Sequence, residues 1–138
     1  MKALKFKAFF IHINMTNKNI FWGTVICAIA VALGAFGAHA WKDYLISINR
    51  LDTFETATKY QMYGGFALLI LGILQNQLSN KILKIAGNLF ITACIIFPGS
   101  LYLICLTQQK FWGAIAPIGG LAFIAGFLLI ASQVRGKR

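Results

Sequence analysis

The stretches FALLILGIL (66–74) and GLAFIAGFLLIA (120–131) decide the fold. Neither carries a charge, and neither alternates apolar with polar residues, as the strands of a membrane barrel do over about ten residues. Extended outward to the nearest Asp, Glu, Lys or Arg, they become charge-free windows over 60–80 and 111–134. Two further windows run over 19–41 and 85–109. A helix rises about 1.5 Å per residue, so about 20 apolar residues cross a hydrocarbon core roughly 30 Å thick. Each window is one crossing long, and none is long enough for two. Only helices and closed barrels satisfy every backbone group in lipid. Four transmembrane helices are therefore predicted, with cores near 20–39, 63–78, 85–106 and 111–132. The second is the weakest, because Gln75, Asn76 and Gln77 shorten its apolar run.

Composition excludes the other classes. Of 138 residues, 59% are hydrophobic and 12% charged, and the mean hydropathy is +0.73. A soluble domain is about 25% charged, and so small a sphere, with its high ratio of surface to volume, could not be covered by so few charges. Three cysteines are an odd number and too few for a disulfide scaffold. The abundance of Phe, Ile and Leu excludes disorder.

The net charge of +10 does not point to nucleic acid, because of where the charges fall. Nine basic residues precede the first span, follow the fourth, or lie between the second and third: Lys2, Lys5, Lys7 and Lys18, then Lys81 and Lys84, then Arg135, Lys137 and Arg138. The other side has four, Lys42, Arg50, Lys59 and Lys110, offset by all three acids, Asp43, Asp52 and Glu55. The positive-inside rule then places both termini in the cytoplasm. Residues 1–19 read as a basic extension, 20–134 as a single four-helix transmembrane domain, and 135–138 as a basic tail. Segment 1–14 is too short to span; it either lies along the interface or precedes an initiator at Met15. Ala38-His39-Ala40 imitates a cleavage site, but the apolar stretch before it is too long for a signal core and three more spans follow.

Between the first two spans, Trp41, Tyr44, Leu45, Ile48 and Leu51 recur at helical spacing, which predicts an amphipathic segment at the outer interface. Asp52-Thr53-Phe54-Glu55 has the spacing of a capping box. A helix starting there would run through Tyr60 and Gln61 into the second span. The other links are short, so neighbours are antiparallel and the bundle compact. Helices in lipid associate through small residues, and these mark the expected packing positions: Ala30, Gly34, Gly37 and Ala38 in the first span, Gly99 in the third, and Gly119, Gly120 and Gly126 in the fourth.

Chemistry is sparsely represented. His39 is the imidazole at the end of a span, and an ionisable residue there is a functional candidate. Polar groups at similar depth need partners, so His39 is expected to approach Tyr60 and Gln61 at the start of the second span and Ser100 or Tyr102 in the third. A hydrogen-bonded clasp is the favoured reading of that cluster over a ligand site. Neither the acids nor the cysteines show metal-ligand spacing, and no metal or cofactor is expected. No nucleophile elbow, P-loop or dinucleotide fingerprint is present.

The stretches LGAFGAHA (33–40), FETATKYQMY (54–63), FPGSLYLICLT (97–107) and APIGGLAFIAGFLLIAS (116–132) together resemble domain-of-unknown-function family 423, the YgdD-like small membrane proteins. The resemblance covers about residues 20–132 and implies a four-helix bacterial inner-membrane protein without an assigned activity. His39, Tyr60, Gln61, Ser100, Tyr102 and Pro117 match positions typical of the family. Gly64 stands where the family often has a histidine. Members tend to begin shortly before the first span, which favours Met15.

The expected function is accordingly non-enzymatic: a small multi-pass protein of the bacterial plasma membrane acting through assembly, through lipid, or through partner membrane proteins, further copies of itself included. The alternative is an oligomeric transporter or channel component for a small or lipophilic substrate, resting on Pro98-Gly99, Pro117 and Gly119-Gly120.

Overall fold

A computed structural model describes residues 17–78 and 80–135. The described chain is all helical: α1 (Lys18–Ala38), α2 (Lys42–Ser47), α3 (Leu51–Gln77), α4 (Lys81–Thr107) and α5 (Phe111–Arg135). Most of the basic extension, the choice between Met1 and Met15, and the last three residues of the tail lie outside the described residues.

The helix ends follow local chemistry. Asn17 caps α1 by accepting from the Asn19 amide at 2.9 Å, and Asn80 caps α4 by accepting from Leu83 at 2.9 Å. Helix α3 starts at Leu51, with Arg50 at its N-cap and no side-chain cap, so the capping box expected at Asp52 does not form. Glu55 instead pairs with Lys59 at 3.7 Å on an exposed face. Helix α4 begins at Lys81 rather than Ile85 and leaves the helical path at Gln108, whose φ of 56° is left-handed.

Three helices are long and apolar enough to cross a membrane: Lys18–Ala38, Lys81–Thr107 and Phe111–Gln133. Helix α3 is as long as α4, at 27 residues, but polar residues on both sides, Gln61 and Gln75–Gln77, shorten its apolar run. The outside of the bundle is apolar. Phe21, Val31, Phe66, Ile70, Ile95, Leu121 and Leu128 are each more than half exposed, a surface suited to lipid rather than water.

The long helices run antiparallel in the order α1, α3, α4, α5, each packed on the next. Small residues set the contact lines. In α1 the buried residues are Gly23, Ala30 and Gly37, one heptad apart. A Cβ on Gly23 would sit 2.8 Å from the Gly65 carbonyl oxygen of α3, and one on Gly37 would strike the Phe54 ring. In α5, Gly119 and Gly126 repeat the heptad against Phe97 and Phe90 of α4. A heptad stripe keeps two helices in register over several turns.

That stripe corrects the packing face expected for α1. Ala38 is exposed, and a Cβ on Gly34 would meet nothing within 4 Å. Of the four positions expected in α1, Ala30 and Gly37 lie on the stripe, whereas the four-residue series through Gly34 and Ala38 drifts away from the seam. Gly99 also faces open space, and a Cβ on Gly120 would stand 3.8 Å from the Phe97 ring, an ordinary contact.

The core lies between α3, α4 and α5, with Leu68, Leu71, Leu83, Ala86, Phe90 and Ala93 fully buried. A smaller core closes the end near α2. There Leu45 is fully buried against Phe54 and Cys105, while Ile46 beside it is 53% exposed. The α2 segment is therefore amphipathic, with Leu45 as its inward anchor. Arg50 ties the turn down: its amide donates to the Leu45 carbonyl at 2.8 Å, and its own carbonyl accepts from the Cys105 thiol.

Candidate functional site

Helices α1 and α4 both lean on α3, yet above α3 they stand apart. The space between them is a crevice of about 490 Å³. Trp22, Ile26, Ile29 and Leu33 form its α1 wall, a single helix face. Ile91, Cys94, Ile95, Gly99 and Tyr102 form its α4 wall, and Gln61 of α3 lies at its floor. The absence of a side chain on Gly99 keeps the α4 wall back. Trp22, Ile29 and Ile95 on the rim are exposed, so the crevice opens sideways toward whatever surrounds the bundle.

Gln61 and Tyr102 bond to each other. The Tyr102 hydroxyl donates to Gln61 Oε1 at 2.7 Å, and Gln61 Nε2 donates to the Ile26 carbonyl at 3.2 Å. One buried amide thus joins α1, α3 and α4. Interhelical hydrogen bonds in membranes average about 0.6 kcal/mol and reach about 1.7. Tyr102→Phe strands the Gln61 oxygen and is expected to lower thermal stability by about 1 kcal/mol with helix content unchanged. No change in melting temperature would contradict the tie.

The crevice continues at both ends. Toward the start of α1 it shares Trp22 and Ile91 with a polar recess of about 490 Å³ that adds Asn17, Lys18, Asn19, Gln75, Lys84 and Asn88. Toward α2 it shares Leu33 and Tyr102 with an aromatic recess of about 310 Å³, completed by Phe36, Trp41, Phe54 and Leu106. The three spaces form one seam along α1 and α4.

An amide network fixes the polar end. Gln75 Oε1 accepts from Asn17 Nδ2 at 3.1 Å and Asn19 Nδ2 at 2.8 Å, and Gln75 Nε2 donates to the Leu83 carbonyl at 3.0 Å. A Cβ on Gly87 would come within 2.8 Å of the Asn19 amide, so that glycine leaves room for the network. Asn80 Nδ2 donates to Gln133 Oε1 at 2.7 Å, bringing in α5. Sequence reading treats Gln75 only as an interruption of an apolar run. The antiparallel register that sets Cys27 against Gly65 also sets Asn17 and Asn19 opposite Gln75, and the sequence alone does not carry that register.

The five residues expected to cluster do not all meet. Gln61 and Tyr102 bond directly. His39 is exposed at the C-cap of α1, and among the described residues its imidazole makes no hydrogen bond. It follows Gly37 by two residues, which removes it from the stripe facing α3. Tyr60 is adjacent to Gln61 in sequence and so about 100° around the helix; its ring packs on Phe97 at 4.7 Å and on Phe123 at 6.3 Å. Ser100 is buried but donates within its own helix, to the Phe97 carbonyl at 2.8 Å. Among the described residues, no three His, Cys, Asp or Glu side chains gather.

Comparison with known proteins identifies the family. The profile of the family described as "Protein of unknown function (DUF423)" matches residues 33–120. A UPF0382 membrane protein of Staphylococcus aureus (strain bovine RF122) is 44% identical over 111 residues, covering 80% of this chain and 89% of its own. The UPF0382 membrane protein YwdK of Bacillus subtilis is 37% identical over 112 residues, covering 80% of this chain and 90% of its own. No solved structure matches the chain significantly. With membrane-spanning helices, a profile match over most of its length and relatives matched nearly end to end, the chain belongs to the DUF423 family of membrane proteins.

Proposed function

We propose that this is a four-crossing, non-catalytic protein of the bacterial plasma membrane that works by holding lipid along the α1–α4 seam. The observation that carries the reading is the lateral crevice, apolar on both walls and open on the side of the exposed rim residues Trp22, Ile29 and Ile95. A pore needs an enclosed axial passage, whereas a crevice facing sideways is presented to the bilayer.

The fourth crossing is α3. At 27 residues it is about 40 Å long. It runs between α1 and α4 from end to end, with Phe54 beside Gly37 and Gln75 beside Asn17. Helices packed over their whole length share the same depth, so α3 crosses where its neighbours cross. Two of its polar residues, Gln61 and Gln75, bond inside the bundle, while the buried Asn76 amide nitrogen makes no hydrogen bond among the described residues. With nine basic residues on one side and four on the other, both termini are cytoplasmic.

The second reading, an oligomeric transporter or channel component, is favoured by Pro98 and Pro117, which interrupt the backbone ladders of the packed helices α4 and α5. Flux from vesicles separates the two. A lipid-holding protein is expected to leave reconstituted vesicles tight to small ions and solutes. Flux that rises in proportion to protein content would contradict it.

A further inference from the structure

We infer that the seam is a binding site for one anionic phospholipid, with the phosphate headgroup in the polar recess between Lys18 and Lys84 and an acyl chain in the crevice running toward Tyr102. The inference deepens the lipid-holding reading and rests on it.

Charge selects the headgroup. The recess presents two lysines and four neutral amide side chains, and no carboxylate. All three acids of the chain, Asp43, Asp52 and Glu55, belong to α2 and the start of α3, at the opposite end of the bundle. A lysine ammonium is a point-charge partner for phosphate, and its long stem lets it reach headgroup level from a helix end. Lys18 is the first residue of α1 and Lys84 lies in the first turn of α4, so both stand at the same level.

Continuity selects an amphiphile. The recess and the crevice share Trp22 and Ile91, so a single molecule fills both, its polar part among the amides and its chain between the isoleucines. Inorganic phosphate would use the recess alone. A helix from a second copy would need an apolar groove throughout and would meet two ammonium groups at one end.

The crevice is mostly apolar, which suits a hydrocarbon. The two polar side chains Gln61 and Tyr102 are bonded to each other and to the Ile26 carbonyl. Both lysines lie on the side with the excess of basic residues, which in the proposed orientation is the cytoplasmic leaflet, where anionic lipids concentrate.

Trp22 lines both spaces and reports on them. With Trp41→Phe and Trp112→Phe, Trp22 is the sole tryptophan of the full chain. The protein is reconstituted in phosphatidylcholine vesicles containing a minor share of lipid brominated on its acyl chain, either phosphatidylglycerol or phosphatidylcholine. Brominated phosphatidylglycerol is expected to quench Trp22 with an apparent association on the order of tenfold above brominated phosphatidylcholine. The double variant Lys18→Gln with Lys84→Gln is expected to equalise the two lipids, while Lys81→Gln, on the same exposed helix end, keeps the preference. Equal quenching in the unaltered seam would overturn the anionic site and leave the lipid-holding reading standing. A preference that survives the double variant, or is lost as much with Lys81→Gln, would overturn it as general surface attraction. Quenching by neither lipid, with particles of twice the mass, would put a second copy in the seam and remove both readings.

Discussion

Gly119→Leu is expected to abolish most of the folded population, whereas Gly120→Leu, one residue along, is expected to leave it intact. A Cβ on Gly119 would lie 2.5 Å from the Phe97 amide nitrogen and 2.9 Å from its Cα. The obstacle is the α4 backbone, which cannot change rotamer to make room. Accommodation requires α4 and α5 to separate along their shared stripe, and overpacking costs about 1–3 kcal/mol, at the upper end where backbone is the obstacle. A Cβ on Gly120 meets only the Phe97 ring, at 3.8 Å. Thermal unfolding in detergent, with the monodisperse fraction on size exclusion, distinguishes the two variants. Equal losses at both positions would contradict the α4–α5 register.

The second large effect is expected at Phe90. Its ring is fully buried, lies against Gly126, and meets Phe127 edge-on at 4.8 Å between centroids. In a soluble core Phe→Ala costs about 3–5 kcal/mol, partly through transfer from water. Here the separated helices would still be in lipid, so the transfer part shrinks and the lost packing and cavity remain. Phe90→Ala is therefore expected to cost about 2 kcal/mol. Phe66→Ala, at a residue 51% exposed on the outside, is expected to cost almost nothing. Similar destabilisation at both sites would mean that the interior assigned to α3, α4 and α5 is misplaced.

The helices were legible because lipid leaves the backbone few options. Charge-free windows one crossing long can only be helices, and the two later links are too short for anything but antiparallel neighbours. Rotation of each helix about its axis was harder to read. Ala30, Gly34 and Ala38 form a plausible stripe in isolation, but the partner selects the heptad Gly23, Ala30, Gly37 instead. Small residues fill both series, and only the crossing of α1 over α3 decides between them.

The site divides along the same line. Gln61 and Tyr102 could be paired from depth alone, since both lie within spans at similar distances from the same end. His39 does not join them, because at the C-cap, two residues beyond Gly37, it lies off the stripe facing α3. The Asn17–Asn19–Gln75 network was missed because Gln75 counted only as a break in an apolar run. Knowing the register of α1 on α3 would have revealed it.

The lateral seam faces lipid only if α3 crosses the membrane with its neighbours. Single cysteines at Asn49, just before α3, and at Gln77, its last residue, test that crossing in a chain whose three native cysteines are replaced by alanine. In intact cells a membrane-impermeant thiol reagent is expected to label Asn49→Cys readily and Gln77→Cys only after permeabilisation. Labelling of both positions from the same side would show that α3 does not cross, and would contradict the account.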